Sequence, residues 1–284
     1  MSIETISEHG CFGGKVGFYR HRSSVNSCDM RFAVFVPPQA VNTKVPVLTF
    51  LSGLTCTEET FMIKSGAQRI AAELGLMLVS PDTSPRGDEV PDDPDGAYDF
   101  GIAAGFYLNA TEAPWSANFQ MYDYVTKELP EIIFAEFPGD RDRQGVFGHS
   151  MGGHGALTIG LRNPDTFRSI SAFAPICSPI NCPWGQKAFL NYLGADQSSW
   201  TEYDATELVK GLGDSRPQNK ILIDQGLDDQ YLEQELHPHL FEAACTERSV
   251  DLELRRHEGY DHGYYFISTH MKDQLEHHSS LLAM

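Results

Sequence analysis

The segment GVFGHSMGGHGAL holds the pattern G-x-S-x-G as Gly148-His149-Ser150-Met151-Gly152. It follows an apolar β-branched run and opens a stretch with helical spacing. A serine lifted clear of a sheet on a strand-to-helix turn is placed to attack a carbonyl carbon, so Ser150 is the candidate nucleophile. Glycines on either side are expected to permit the sharp turn. The bland alternative is a serine that only caps a helix. The same turn puts the backbone N–H of Met151 at a helix N-terminus, where donors lack partners and negative charge is favoured. That is half of an oxyanion hole. The other half is expected from the loop FLSGLTCTEETF after an earlier strand, at the N–H of Leu54.

A serine hydroxyl needs a base, and the base needs a carboxylate to fix its tautomer. The chain order for this kind of site is Ser, then Asp or Glu, then His. Of eleven histidines, His237, His239, His270, His277 and His278 fall within helical patterns and read as surface residues. His149 and His154 lie beside the serine in sequence and are expected to pack around the turn. His257 and His262 remain, in RRHEGYDHGYYF; His257 ends a strand, whereas His262 sits on the following loop between Gly259 and Gly263. A loop over the sheet edge suits a base better, which selects His262. The acid is sought in LIDQGLDDQYL. Asp224 still belongs to its strand, so the pleat turns its side chain toward a helix layer, where it is expected to hydrogen-bond a neighbouring loop. Asp228 and Asp229 both follow Gly226 in the turn, and spacing does not decide between them.

The elements that must position these groups alternate. RFAVFVP, PVLTFLSG, LMLVSP, RQGVFGHS, RSISAFAP, KILIDQG and VDLELRRHEG read as strands. Between them AQRIAAELG, MYDYVTKELPEIIFAEF, MGGHGALTIGLRN, YLEQELHPHLFEAACTER and YYFISTHMKDQLEHHSSLLAM read as helices, the last running into the tail. Such alternation indicates an α/β protein with a parallel sheet wound by crossover helices, and the first segment or two suit antiparallel strands at one edge. Residues 84–118, rich in Pro, Gly and Asp with interleaved aromatics, form an irregular excursion expected to be functional or packed by its own rings. Residues 175–219 form a second, with one short helix expected near QKAFLNYLG.

With 41% hydrophobic and 21% charged residues in 284, the chain has ample material for a core. A formal charge of −18, from 39 acidic against 21 basic residues, argues against nucleic acid or an anionic membrane as partner. The first residues lack a signal-peptide pattern and no apolar run reaches the ~18 residues of a span, so a cytoplasmic protein is expected. Six scattered cysteines without a CxxC pair read as free thiols, and no metal site is expected.

FLSGLTCTEETF, SPDTSPRGDEVPDDPDGAYDFG, AGFYLNATEAPWSANFQMYDYV, GHSMGGHGAL, FAPICSPINCPWGQKAF and EGYDHGYYFISTH together resemble the esterase D family of S-formylglutathione hydrolases. The likeness runs over nearly the whole chain and both excursions, so one domain across 1–284 is expected. It implies the α/β-hydrolase fold and a cytoplasmic, commonly dimeric, cofactor-free enzyme that cleaves S-formylglutathione to formate and glutathione. Carried onto this sequence, it gives Ser150 as nucleophile and His262 as base. The fourth place of the G-x-x-D turn makes Asp229 the acid. It also draws attention to Cys56, as a thiol near the serine, and to Trp184, beside the acyl pocket; a small buried hydrophobe and a core filler are their plain alternatives. Lys64, Arg86 and Lys187 are candidates for holding the glutathione carboxylates. A general short-chain carboxylesterase or acyltransferase with the same triad is the rival activity, and a non-catalytic hydrolase-fold binding protein the rival class.

Overall fold

In the computed structural model, which describes residues 2–213, 217 and 219–283, the apolar runs become the middle of one twisted sheet. Residues 1, 214–216, 218 and 284, which belong to the expected 1–284 unit and in part to the 175–219 excursion, lie outside the described residues. The strands are β1 (Glu4–Cys11), β2 (Gly14–Arg22), β3 (Asp29–Val36), β4 (Val45–Leu51), β5 (Met77–Pro81), β6 (Gly139–His149), β7 (Phe167–Phe173), β8 (Ile221–Gly226) and β9 (Leu252–His257). They lie in the order β1-β2-β3-β5-β4-β6-β7-β8-β9. From β5 to β9 every pairing is parallel, while β1, β2, β3 and β5 pair antiparallel.

Burial explains which strands were legible. All of β5 and β8 is buried, as a parallel sheet covered on both faces requires, and each opens on a run of three apolar residues, Met77 to Val79 and Ile221 to Ile223. β1 and β2 carry no such signal: ETISEHGC is exposed or half-buried throughout. The antiparallel edge is therefore longer than expected, three strands instead of one or two. Its first hairpin turns on Phe12 and Gly13, both with positive φ (47° and 76°), between the paired residues Cys11 and Gly14. A two-residue hairpin loop of this kind needs positive φ at both places, and Gly13 supplies one without cost.

The helices are α1 (Glu58–Lys64), α2 (Ala67–Leu74), α3 (Met121–Asp123), α4 (Leu129–Glu136), α5 (Met151–Arg162), α6 (Pro183–Leu193), α7 (Ala205–Gly211), α8 (Pro238–Arg248) and α9 (Tyr264–Leu282). A π-helical turn at Tyr124–Glu128 joins α3 to α4. The segment expected as one helix over 231–248 is broken at His237, which adopts a left-handed conformation ahead of Pro238. α1 was not anticipated; it is short and begins with a reciprocal capping box between Thr57 and Thr60.

Rings hold the first excursion, its own together with Tyr192 from the second. Phe100 packs on Trp115 (4.5 Å between centroids) and on Tyr192 of α6 (4.7 Å), and Tyr192 also stacks on Phe119 (5.2 Å). The second contains more helix than expected, both α6 and α7. His278 corrects the surface reading given to the late histidines. It is fully buried, with Nδ1 and Nε2 each 2.7 Å from a hydroxyl of β7, those of Ser169 and Ser171. Its helical spacing was right; the face was wrong, because α9 lies on the sheet.

Replacing His278 with Ala removes both hydrogen bonds and leaves a ring-sized void, so a loss of about 2–4 kcal/mol of unfolding free energy is expected. Urea denaturation reads it as a lower midpoint at unchanged slope. A loss under about 0.5 kcal/mol, typical of a surface site, contradicts this role.

Candidate active site

Strand β6 ends at His149, and Ser150 turns the chain into α5 with φ 58° and ψ −121°. A non-glycine residue held there costs about 1–3 kcal/mol, which the surroundings must offset. Three backbone hydrogen bonds meet at this residue: its N–H donates to Phe173 O (3.0 Å), and its carbonyl accepts from His154 (2.9 Å) and Ile176 (3.2 Å). The glycines permit the turn as expected, by leaving room where a side chain would block it. Neither Gly148 nor Gly152 has positive φ; what they provide is proximity. A methyl group on Gly152 would overlap the Leu51 carbonyl, and one on Gly148 would overlap Gly152 O, so the first turn of α5 presses against the end of β4 only because both are glycine.

The two flanking histidines are packed around the turn. His154 is fully buried beneath the turn, its Nε2 3.0 Å from Phe106 O, and burial pushes its pKa down to about 4. His149 is buried too, and burial holds it well below the usual histidine range.

The structure brings Asp229 and His262 together: Asp229 Oδ2 lies 2.5 Å from His262 Nδ1. Asp229 is buried and its other oxygen accepts the Tyr231 backbone N–H (2.9 Å), while Gln225 Nε2 lies 3.2 Å from Oδ2. Asp228 is exposed, and its backbone N–H instead ties the turn to Tyr260 O (3.0 Å) on the loop that carries His262. The glycine of G-x-x-D has a reason: a methyl group on Gly226 would overlap Tyr260 O, so the two loops could not meet. The His262 ring touches His149 (centroids 4.4 Å apart) and Tyr231 (5.0 Å, interplanar 77°). Tyr231 in turn packs on Trp184 at 4.7 Å, which puts Trp184 one ring away from the histidine. Tyr231 was not singled out from the sequence, and no pattern there marks it.

The acid and base set aside from the sequence pair with each other. Asp224 is fully buried and its Oδ1 lies 2.7 Å from His257 Nε2. Arg255 forks onto both its oxygens (2.7 Å each), and Gln274 of α9 donates to Oδ2 (2.7 Å). The partners are thus β9 and α9, not the loop that was expected. His270 stacks on His257 at 3.8 Å, so Asp224, His257 and His270 offer ligand atoms within 4.8 Å of one another. With the guanidinium occupying both carboxylate oxygens, this is an ion-pair network that ties two strands to a helix. Burial acts to raise the Asp224 pKa, but Arg255, Gln274 and His257 outweigh it and the carboxyl lies below its ordinary value.

The loop after β4 runs beside the serine. A methyl group on Gly53 would stand 3.1 Å from Ser150 Cβ and 3.2 Å from His149 O, so Leu54 follows a point of direct contact with the elbow. Thr55 N–H donates to Ala103 O (3.1 Å) and Cys56 N–H to Gly53 O (3.3 Å); among the described residues the Leu54 and Met151 amides have no protein acceptor. Residues from 83–107 hold the loop: Tyr107 Oη donates to Ser52 O (2.8 Å), and Thr83 Oγ1 (2.6 Å) and Arg86 (3.1 Å) donate to Cys56 O. Burial pushes the Cys56 thiol pKa up, which lowers its thiolate fraction. Arg86 is also bidentate to Asp82 (2.7 and 3.0 Å), and Lys187 pairs with Asp99 (2.7 Å) and Asp93 (3.2 Å). Lys64 is exposed, its Nζ 5.8 Å from the centroid of the Tyr264 ring, with no acidic partner among the described residues.

A mostly parallel nine-stranded sheet flanked by helices, with a serine on the turn from β6 to α5, defines a hydrolase of the α/β-hydrolase fold. The Esterase family model, described as "Putative esterase", matches residues 23–283, and the chain belongs to that family. It is 54% identical over 283 residues to the S-formylglutathione hydrolase of Rattus norvegicus and 52% identical over 284 residues to that of Arabidopsis thaliana, covering 99% of both chains in each case. The solved structure of an S-formylglutathione hydrolase from Agrobacterium tumefaciens superposes with a TM-score of 0.95 at 51% identity, over 98% of this chain and 99% of that one.

Glu58, in the first turn of α1 beside this loop, is 2% exposed, and burial followed by the charge of Asp82 raises its pKa to about 7. A carboxyl whose pKa rises on folding favours the folded state below its unfolded pKa of about 4.3 and loses that contribution as pH climbs through 7. Glu58→Gln should therefore stabilise the protein at pH 8 by about 1–3 kcal/mol after allowance for solvent screening, and have little effect at pH 4. Thermal melts at the two pH values decide this; an equal change at both contradicts it.

Proposed function

We propose that this hydrolase cleaves S-formylglutathione to formate and glutathione by a serine-histidine-aspartate mechanism. The observation that carries the mechanism is the 2.5 Å contact between Asp229 and His262 beside the strained Ser150 elbow. The full-length likeness to enzymes of that name supports the substrate.

Asp229 accepts a hydrogen bond from the Nδ1–H of His262 and so leaves Nε2 as the basic nitrogen. His262 takes the Ser150 proton as Oγ attacks the formyl carbon, and the backbone amides of Leu54 and Met151 hold the oxyanion. Collapse breaks the C–S bond and expels glutathione thiolate, a good leaving group that departs without prior protonation and then takes the proton held by His262, which returns the base to its neutral form. Water, deprotonated by His262, then attacks the formyl ester of Ser150; formate leaves and the serine oxygen regains its proton. A one-carbon acyl group suits a narrow pocket bordered by Trp184. Exclusion by size is modest, about 1–3 kcal/mol per methylene, so short acyl esters are expected as poorer substrates.

This reading includes a cofactor-free homodimer acting in the cytoplasm, folded as one domain. The triad chemistry itself calls for no cofactor, and six free cysteines are in keeping with a reducing compartment. Among the described residues no helix is long and apolar enough to cross a membrane. Of the three cations considered for the glutathione carboxylates, Arg86 and Lys187 are engaged by aspartates, which leaves Lys64 for that role. Cys56 stands near the proposed oxyanion loop as a thiol open to modification, though its raised pKa makes it a slow nucleophile.

Ser150→Ala should lower kcat/KM for S-formylglutathione by about 10⁴-fold or more, and Asp229→Asn by a comparable factor, with Asp228→Asn within about threefold of wild type. Retained activity in Ser150→Ala, or equal losses in the two Asn variants, overturns the assignment. A higher kcat/KM for a simple acetate ester than for S-formylglutathione favours the general esterase, and failure of a serine-directed phosphonate to label Ser150 revives the non-catalytic reading. Lys64→Met should raise KM for S-formylglutathione about two- to fivefold, the size of an exposed ion pair, and leave KM for a neutral acetate ester unchanged. An equal effect on both substrates removes Lys64 from that role.

A further inference from the structure

We propose that the aromatic ring of Tyr231 is a positioning residue for His262, an inference that rests on the role of His262 given above. The bond from Nδ1 to Asp229 fixes one point of the imidazole and leaves the ring free to rock about that line. A general base must present Nε2 to the serine hydroxyl within a few tenths of an ångström, and misplacement by about 1 Å costs on the order of 10²-fold in rate. A second restraint is therefore required, and it must act on the ring itself.

Among the described residues two rings touch the imidazole. His149 is fixed by the elbow, since it ends β6 next to Ser150, and its centroid lies 4.4 Å away. Tyr231 meets it edge-to-face at 5.0 Å. Tyr231 is held from three directions. Its backbone N–H donates to Asp229 Oδ1 (2.9 Å), its carbonyl accepts from Glu235 (2.9 Å) and Leu236 (3.2 Å), and its ring packs on Trp184 at 4.7 Å. One residue thus ties down the acid through its main chain and the base through its side chain. Trp184 is in turn anchored by its own N–H to Glu235 Oε2 (3.0 Å), so the chain of contacts ends in helix and not in solvent.

The two contributions separate experimentally, because a side-chain substitution leaves the Tyr231 amide on Asp229. Tyr231→Phe keeps the ring and should hold kcat within about twofold. Tyr231→Ala should lower kcat about 10- to 100-fold with KM within about threefold, and Tyr231→Leu, which keeps bulk without the ring, should lie between. The loss should appear with both S-formylglutathione and an aryl acetate ester. The proton resonance of His262 Nδ1–H should be seen in wild type and Tyr231→Phe and broaden in the Leu variant. Melting temperatures identify any variant that fails to fold, in which case Leu alone is read. Wild-type kcat in both Ala and Leu variants, a loss as large in Phe as in Ala, or a change confined to KM overturns the proposal. If wild type itself does not turn over S-formylglutathione, the substrate assignment fails, while the ester series still tests Tyr231.

Discussion

The conformation of Ser150 is the constraint on which the rest of this molecule depends. A left-handed non-glycine residue persists only where its surroundings over-determine it. Here the determination comes from both directions along the chain. Behind it, β6 lies between β4 and β7 in the middle of the sheet; ahead of it, every residue of α5 except the last is buried. Gly148 and Gly152 let the helix start within touching distance of Leu51, and Phe173 and Ile176 complete the backbone hydrogen bonds of the serine. The central position of this strand in the sheet is thus what makes a protruding, half-strained serine affordable.

The long irregular excursions follow from the same need. The loop after β4 carries the proposed oxyanion donor, and a loop is by itself a poor holder of geometry. Tyr107 and Arg86 from the first excursion, with Thr83 just before it, fix its carbonyls, and the aromatic cluster of Phe100, Trp115, Phe119 and Tyr192 fixes the excursion to α6. Electrostatics are kept quiet nearby. Burial leaves His149 and His154 uncharged, so neither adds a positive charge beside the serine. The buried ion-pair network of Asp224 lies on β8 and β9, the strands that lead into the loops bearing Asp229 and His262. It binds β8 and β9 to α9, whose first residues follow the loop bearing His262.

Much of this was legible because central parallel strands announce themselves. β4, β5, β7 and β8 are largely buried, so apolar residues recur along each of them, and the elbow motif sat at a strand-to-helix junction as its chemistry requires. β1 was silent because an exposed edge strand has no buried face to write into the sequence, and β2 because its buried positions, Val16, Gly17, Tyr19 and His21, do not form an apolar run. His278 was misread because helical spacing fixes which residues share a face and not what that face meets. Asp228 and Asp229 stood equal in the turn, and the side-chain direction that separates them depends on where the Tyr260–His262 loop lies, a tertiary fact. The pairing of Asp224 with His257 and the contact of Tyr231 with His262 are of the same kind, joining residues about thirty positions apart, the first between β8 and β9 and the second beyond their ends.

The central claim is that the formyl group passes through Ser150. Rapid acid quench of the enzyme during its first turnover of S-formylglutathione, followed by peptide mass spectrometry, tests it directly. A formyl ester on the peptide that contains Ser150, absent in Ser150→Ala, is the predicted result. A formyl group carried by Cys56, or by any residue other than Ser150, contradicts the account.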